Sequence, residues 1–105
     1  MTPEHAIMNT IMLWCGQHDI LCFRANVGTV KTVNGYYFDT GLPEGFSDLI
    51  ILYNKTIYFC EVKTKTGKQR QSQINFMNQV RERGYTYFVA RSVDDIIKNI
   101  EYKGD

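Results

Sequence analysis

Apolar side chains recur at helical spacing near the start of the chain. In TPEHAIMNTIMLWCGQHDI they fall three or four residues apart, at Ile7, Met8, Ile11, Met12 and Cys15, which predicts a helix with one apolar stripe. Thr2 suits the N-cap and Pro3 suits the first helical position. Glu4 precedes Met8 by one turn, so we expect its carboxylate on or beside this stripe.

Two apolar runs in the middle of the chain, 48–53 and 57–63, predict neighbouring strands. Their apolar side chains lie on both faces, with Leu49, Ile51, Tyr53, Tyr58, Cys60 and Val62 on one and Ile50, Leu52, Ile57 and Phe59 on the other. Strands that are apolar on both faces are central in a sheet and covered on both sides. A two-residue turn at Asn54-Lys55 would make the two runs a hairpin, and a four-residue loop over residues 53–56 would give the same register.

The remaining segments alternate between strand and helix patterns. LCFRANV and YTYFVA predict strands, and TVKTVNGYYF places Asn34-Gly35 between β-rich flanks, which is a hairpin signal. RQSQINFMNQVRER predicts a helix that Gly84 ends, and Ser92 caps a last helix over VDDIIKNIE. The predicted order is α-β-β-β-β-α-β-α, and the predicted class is an α/β or α+β sandwich.

Composition places the chain among ordinary globular proteins. Its 105 residues, of which 44% are hydrophobic and 22% charged, predict a single domain over residues 1–105. No apolar run approaches the ~20 residues of a membrane helix. The N-terminal segment lacks the basic leader of a secretory signal. We therefore predict no association with a membrane.

Cysteine and histidine positions argue against a zinc site. Cys15, Cys22 and Cys60 are odd in number and have no CxxC spacing, so they indicate neither a zinc knuckle nor a disulfide framework. His5 and His18 have no ligand spacing either, and we interpret them as surface or groove-edge residues. This pattern predicts a reducing, cytoplasmic setting. The net charge of +1 argues against coating of nucleic acid by bulk charge, but it allows a local basic surface.

Charged residues stand at the ends of the two central runs. With a two-residue turn between the runs, counting back along both strands places Asp48 opposite Glu61, with their Cβ atoms about 4.5–5.5 Å apart. Lys63 shares their face, because side chains two residues apart on a strand point the same way. A slip of one residue in the register would separate the two carboxylates.

Two facing carboxylates beside a lysine make chemical sense around a divalent metal. Facing like charges destabilise a sheet, whereas Mg²⁺ takes carboxylate oxygens and binds phosphate. The backbone carbonyl of Val62 is a natural further ligand. Lys63 could orient or activate an attacking water, or neutralise charge on a phosphate. In the alternative interpretation, Asp48 and Glu61 are solvated strand ends and Lys63 pairs with one of them.

Several motifs together resemble the signature of the PD-(D/E)xK nucleases and, more narrowly, the virus-type replication-repair nuclease (VRR-NUC) domain. That family has an acid on an N-terminal helix, an R-x-N-x-G stretch, a G-x-[PS]-D-L turn, an E-V-K strand, and a glycine loop that leads to a helical glutamine. This chain offers them in order, as Glu4, RANVG, GFSDL, EVK, Gly67 and Gln73. Ser47 replaces the proline of the superfamily's name, which only stiffens the turn. The match spans nearly the whole chain, as in a stand-alone phage or bacterial nuclease domain.

The resemblance implies a restriction-endonuclease-like α/β fold, with a mixed central sheet flanked by helices, and a phosphodiesterase that depends on Mg²⁺ or Mn²⁺. Asp48 and Glu61 would be the principal metal ligands and Lys63 the catalytic lysine. Glu4 would reach the same cluster, directly or through a water, and Gln73 would hold a water or a neighbouring ligand. Resemblance to the stand-alone viral-type members further implies a homodimer that acts on branched DNA, including four-way junctions. At such a junction a two-fold dimer supplies two active sites.

Basic residues near these motifs are candidates for DNA contact. Lys65, Lys68 and Arg70 crowd the segment KTKTGKQR, which is either a solvated loop or, beside a nuclease site, a phosphate-binding one. In the family interpretation Arg24 and Asn26 lie near the substrate groove. Otherwise they are strand residues that face solvent.

Three functions fit these patterns. The first is a metal-dependent DNA nuclease, the second a non-catalytic nucleic-acid-binding or assembly module with a nuclease fold, and the third a restriction-type or mobile-element nuclease with sequence preference. The intact acid pair, lysine and glutamine favour catalysis. A chain of 105 residues has no room for an added recognition domain, which favours structure-selective cutting.

Overall fold

The computed structural model describes residues 1–25 and 27–104. Its elements in chain order are α1 (Pro3–Gln17), β1 (Leu21–Arg24), β2 (Thr29–Lys31), β3 (Tyr37–Asp39), β4 (Leu49–Tyr53), β5 (Thr56–Val62), α2 (Gln71–Glu82), β6 (Thr86–Ala90) and α3 (Val93–Asn99). The mixed α/β class is confirmed. The predicted order is one strand short, because both flanks of the Asn34-Gly35 turn form short strands, so five described strands precede α2.

Four strands build the central sheet, in the order β1-β4-β5-β6. β1, β4 and β5 pair antiparallel, whereas β6 pairs parallel with β5. A parallel pair needs a crossover connection, which α2 supplies. The predicted mixed sheet flanked by helices is therefore confirmed.

The hairpin of β4 and β5 has the predicted register. Tyr53 pairs with Thr56 across the Asn54-Lys55 loop. Both loop residues have positive φ angles, 51° and 63°, as a type I′ turn requires. Asp48 directly precedes β4, so the same register carries it across from Glu61.

One face of the sheet is covered by α1 and α3, which enclose the main core. Side chains without exposed surface come from both helices and from β4, β5 and β6, and they include Ile11, Cys15, Leu49, Ile51, Cys60, Val62, Ala90 and Ile96. Burial raises the pKa of the Cys60 thiol. The thiol therefore stays neutral and acts as a small apolar side chain.

The opposite face is covered in part by α2. Phe76 of α2 packs against Phe59 of β5, with ring centroids 5.9 Å apart. Leu21, Phe23 and Ile57 remain 59%, 50% and 46% exposed. The prediction that the central strands are covered on both sides is therefore wrong for this part of the face, because one helix of 12 residues does not shield four strands.

β2 and β3 form a separate two-stranded ribbon. Within the described residues, the ribbon makes no close backbone contact with another helix or strand. Val30 and Phe38, which pair across it, are 47% and 60% exposed. Among the described helices, none has the length and apolar character that a membrane crossing requires.

Candidate active site

Three carboxylates from separate elements converge at one end of the sheet. Glu4 lies in the first turn of α1, Asp48 directly before β4, and Glu61 near the end of β5. One ligand oxygen from each lies within 4.8 Å of the other two. Glu4 and Asp48 are half-buried, and Glu61 is fully buried. The fold thus brings together the three acids that the sequence predicts as metal ligands.

Hydrogen bonds hold Asp48 and the turn before it. The Oδ2 atom of Asp48 accepts a hydrogen bond of 2.7 Å from the backbone N–H of Val62. Its carbonyl accepts one of 2.8 Å from the N–H of Ala25. Ser47 is buried, and its hydroxyl donates to the carbonyl of Leu49 at 3.2 Å. A side-chain hydrogen bond therefore supports this turn at the position where a proline would restrict it.

Both oxygens of Glu61 have polar partners. Oε2 accepts a hydrogen bond of 2.8 Å from Nε2 of Gln73 and lies 3.5 Å from Nζ of Lys63. Oε1 accepts a hydrogen bond of 3.4 Å from the hydroxyl of Tyr87. Burial, and after it the charge of Asp48, raises the pKa of Glu61 to about 8, while Lys63 opposes the rise. The carboxylate therefore sits where additional positive charge would favour its ionised form.

Lys63 is almost fully buried beside Glu61. Its side chain is 8% exposed and forms the ion pair with Glu61. Its backbone N–H donates to the carbonyl of Ala90 at 3.0 Å, which continues the pairing of β5 with β6 by one residue. Burial restricts the rotamers of a long side chain, so the ammonium group stays beside the carboxylates.

The start of α2 positions Gln73. Arg70 is the N-cap, and its backbone N–H donates to Oε1 of Gln73 at 2.8 Å. With Oε1 engaged in this way, Nε2 faces Glu61. Gly45 has a φ of +86° and lies against this turn, where an added Cβ would overlap the carbonyl oxygen of Ser72. The GFSD turn can approach α2 because residue 45 is a glycine.

A polar cavity of about 220 Å³ opens beside the carboxylates. Its wall includes the carboxylates of Glu4 and Asp48 and the amide of Gln73. Arg24 and Arg70 also line it, which places two of the predicted DNA-contact residues on the cavity wall. Acidic and basic groups therefore share one concave surface, as a site for a metal and a phosphate requires.

The RANVG segment contributes Arg24 to this wall. A hydrogen bond of 3.1 Å joins Nη2 of Arg24 to Nε2 of His5. His5 itself lines the cavity, in agreement with its interpretation as a groove-edge residue. Asn26, the other predicted DNA-contact residue of the segment, lies outside the described residues.

The basic loop after β5 lies beside the cavity rather than in its wall. Lys65 and Lys68 are exposed, and neither lines the cavity around the carboxylates. The loop begins directly after Lys63, so its backbone starts at the edge of the site. Of the predicted basic residues, Arg24 and Arg70 therefore line the cavity, whereas Lys65 and Lys68 lie on the loop.

Tyr87 is a site residue that the sequence did not reveal. Its pattern predicted a core strand, and it is 2% exposed, but its hydroxyl donates to Glu61 and accepts from Nε2 of Gln69 at 3.5 Å. Burial raises the pKa of Tyr87, so the hydroxyl remains a donor. The contact follows from the parallel pairing of β6 with β5, for which the sequence has no local signal.

The donor set fits a hard divalent cation. Carboxylate oxygens are the ligands that Mg²⁺ and Mn²⁺ prefer in proteins. Burial and the neighbouring charge of Asp48 raise the pKa of Glu61 by more than Lys63 lowers it. A bound cation would balance that charge and favour the ionised carboxylates.

Comparisons with known proteins point to one family. A solved structure named VRR_NUC domain superimposes with a TM-score of 0.69 at 23% sequence identity, over 98% of this chain and 99% of that chain. A second, named VRR_NUC domain protein, has a TM-score of 0.67 at 15% identity, over 96% of this chain and 87% of that chain. At these identities the likeness shows the fold. No curated protein matches the sequence.

The sequence itself matches the model of the VRR-NUC domain over residues 11–94. The matched range contains Asp48, Glu61, Lys63 and Gln73, whereas Glu4 lies before it and belongs to the cluster by geometry. Because this match covers most of the chain and the fold agrees with that of two solved VRR-NUC domains, the protein belongs to the VRR-NUC family of nuclease domains.

Proposed function

We propose that this protein is a metal-dependent DNA endonuclease that hydrolyses phosphodiester bonds. The observation that carries the proposal is the convergence of three carboxylates beside Lys63. A structural role for this cluster would be costly, because buried or facing like charges destabilise a fold. Membership of a family of nuclease domains supports the same function.

In this proposal Glu4, Asp48 and Glu61 hold Mg²⁺ or Mn²⁺, with the carbonyl of Val62 as a further ligand. When bound, the cation polarises the phosphate and lowers the pKa of the attacking water. The chain keeps Asp48 in place through the N–H of Val62, and it orients Glu61 through Gln73. Carboxylates that are already held by such partners lose little freedom when they bind a cation.

Lys63 acts on the reacting phosphate. Its ammonium group, held by Glu61, orients the attacking water and neutralises negative charge that develops on the phosphate oxygens. Gln73 keeps the carboxylate of Glu61 turned towards the cation or holds a water beside it. Each residue therefore has a separate task, and the loss of any one should slow hydrolysis.

Basic side chains hold the DNA near this centre. Arg24 and Arg70 line the cavity and would contact phosphates there, and Lys65 and Lys68 would extend the contact along the neighbouring loop. From its position in the RANVG motif, we propose that Asn26 contacts DNA as well. With a net charge of only +1, affinity for DNA depends on this local surface rather than on bulk charge.

The substrate we propose is branched or structured DNA, such as a four-way junction, cut by a homodimer. Two symmetric cuts across a junction need two active sites, which a two-fold dimer supplies. The exposed apolar side chains of the β2–β3 ribbon and of the open sheet face support a protein partner. A lone two-stranded ribbon is marginally stable in water, so burial against a second copy would stabilise it.

A cytoplasmic location, in a bacterial or phage-infected host cell, belongs to the same proposal. The thiols of Cys15, Cys22 and Cys60 are free, which suits a reducing compartment. Cell fractionation with an antibody against the protein tests the location.

The experiment that tests the function is one cleavage assay with matched variants. Purified protein is given duplex, flap, single-stranded and four-way-junction DNA with Mg²⁺, Mn²⁺ or EDTA. We expect cleavage that requires the metal, and a loss of at least ~10²-fold in Glu61→Gln and in Lys63→Ala, in line with the removal of a charge that stabilises the transition state. Lys98→Ala, which removes an exposed lysine of α3, is the control.

Two outcomes would change the proposal. Full activity in Lys63→Ala would refute the mechanism. No cleavage of any substrate with either metal would favour a non-catalytic nucleic-acid-binding module. Size-exclusion chromatography with light scattering tests the dimer, and a monomer at the working concentration would weaken the junction-resolving version.

A further inference from the structure

Arg91 binds the loop that follows Lys63. Its Nη1 donates to the carbonyl of Thr64 at 2.6 Å and to that of Gly67 at 2.7 Å, and it lies 3.5 Å from the carbonyl of Lys65. Arg91 directly follows β6, the parallel neighbour of β5. One guanidinium group therefore connects the end of β6 to three carbonyls of a segment more than twenty residues away in sequence.

The loop has little else to hold its shape. The N–H of Gly67 returns to the carbonyl of Thr64 at 3.2 Å and to its hydroxyl at 3.1 Å, which closes a turn over residues 64–67. Lys65, Thr66 and Lys68 are exposed. Exposed residues gain little from packing, so a loop of this kind moves unless a specific contact holds it.

Arg91 is itself anchored on both sides. Its backbone N–H donates to Oδ2 of Asp95 at 2.8 Å, in the first turn of α3. The preceding residue, Ala90, accepts the backbone hydrogen bond from Lys63. The guanidinium thus projects from a fixed backbone, and its planar set of donors suits carbonyls that converge from several directions.

We propose that Arg91 is a positioning residue for DNA binding, which holds the 64–67 loop in the shape that presents Lys65 and Lys68 to DNA phosphates beside the cleft. This inference rests on the proposed nuclease function and adds to it. Because the Nη1 donors of Arg91 are engaged by backbone carbonyls, the residue acts through the loop. Its loss should weaken DNA binding and leave the chemistry at the carboxylates largely intact.

The test compares Arg91→Met and Arg91→Lys with a matched control, Arg83→Met. Arg83 is also exposed and donates to a backbone carbonyl, that of Gln79 at 2.9 Å, at the opposite end of α2 from Gln73. We expect Arg91→Met to raise KM for DNA about tenfold and to lower the slope of log affinity against log salt by about 1 to 2, as for the loss of one or two phosphate contacts. Its kcat should stay within about threefold of native, because the charges at the reacting phosphate are untouched. Arg91→Lys should restore part of the affinity, and Arg83→Met should behave as native.

Limited trypsin digestion in the absence of DNA and metal measures directly how readily the loop is cleaved. A released loop exposes the bonds after Lys65 and Lys68, so Arg91→Met should be cut there faster than the native protein and faster than Arg83→Met. A double Lys65→Gln, Lys68→Gln variant should reproduce the effects on KM and salt slope. Adding Arg91→Met to it should change KM little further, because the two changes remove the same contacts.

The possible results separate this proposal from the proposed function. Native trypsin rates together with a native KM in Arg91→Met would overturn it, and so would a raised KM with native trypsin rates, which would mean that Arg91 touches DNA itself. If Arg91→Met fails to fold, Arg91→Lys and the double lysine variant still decide the question. If the native protein cleaves no DNA at all, the proposed function fails, whereas trypsin rates and the salt slope of DNA binding continue to test the loop.

Discussion

The carboxylate of Asp48 accepts a hydrogen bond of 2.7 Å from the backbone N–H of Val62, the residue between Glu61 and Lys63. This side chain continues the pairing of β4 and β5 beyond their last backbone pair. Asp48 therefore has two roles, because its side chain holds two strands in register and also offers an oxygen to the carboxylate cluster. Substitution can separate these two roles.

Asp48→Asn should keep the fold and lose the activity. Its amide oxygen can still accept the hydrogen bond from Val62, but the negative charge is gone. We expect its free energy of unfolding to stay within about 1 kcal/mol of native, while cleavage falls by at least ~10²-fold. Asp48→Ala should lose the hydrogen bond as well and unfold about 1–3 kcal/mol more easily than native. Urea unfolding and a cleavage assay measure the two effects, and native cleavage rates in Asp48→Asn would contradict the metal-ligand role.

Gln73→Ala should weaken both the fold and metal binding. The change leaves Oε2 of Glu61 without its shortest hydrogen bond and the N–H of Arg70 without its side-chain acceptor. We expect a loss of about 1–3 kcal/mol in the free energy of unfolding and an increase of about tenfold or more in the dissociation constant for Mn²⁺. Urea unfolding measures the free energy of unfolding, and calorimetric titration measures the dissociation constant for Mn²⁺.

Gln71→Ala is the matched control for that substitution. Gln71 lies on the same helix, is exposed, and donates to Asn75 rather than to the site. We expect native metal affinity in this variant. If both variants bind Mn²⁺ equally well, Gln73 does not orient Glu61.

Stability in the absence of metal should fall as the pH rises. Folding raises the pKa of Glu61 from 4.5 to about 8. The contribution of this carboxyl group to the free energy of unfolding is therefore fully present below pH 4.5 and is lost as the pH rises through about 8. We expect this group alone to lower the free energy of unfolding by about 5 kcal/mol across that window. Mn²⁺ should reduce the loss, because a nearby cation favours the ionised carboxylate.

Urea unfolding at several pH values, with EDTA or Mn²⁺, measures this dependence. Glu61→Gln has no titrating group at the position, so its stability in EDTA should change less with pH than that of the native protein. Parallel pH profiles for the two proteins would show that Glu61 is not the group responsible.

Two glycines with the same backbone angle should respond differently to alanine. Gly45 and Gly84 both have a φ of +86°, but a Cβ at Gly45 would overlap the Ser72 carbonyl, whereas Gly84 has open space around it. Gly84→Ala should cost about 1 kcal/mol in the free energy of unfolding, from backbone strain alone.

Gly45→Ala should cost more than that, and it should also slow cleavage, because it moves the start of α2 and with it Gln73. Thermal unfolding and the cleavage assay on both variants give the comparison. Equal stability of the two variants would mean that the GFSD turn changes its conformation without displacing α2.

The sequence by itself determined the local parts of this protein. The Asn54-Lys55 turn sets the register of the β4–β5 hairpin, because strands joined by so short a loop have few ways to pair. That register is enough to place Asp48 across from Glu61. The starts of α1 and α3 could also be predicted from the sequence, because Thr2 and Ser92 accept the N-cap hydrogen bonds that their residue types predict.

Tertiary structure alone decided the contacts between segments that are distant in the chain. The parallel placement of β6 brings Tyr87 to Glu61 and Arg91 to the loop after Lys63. The packing of a single helix, α2, on the other face of the sheet leaves part of that face open, with Phe23 half-exposed. Local periodicity fixes which way a side chain points within its own element, but the pairing of separate elements depends on how the whole chain packs around its core.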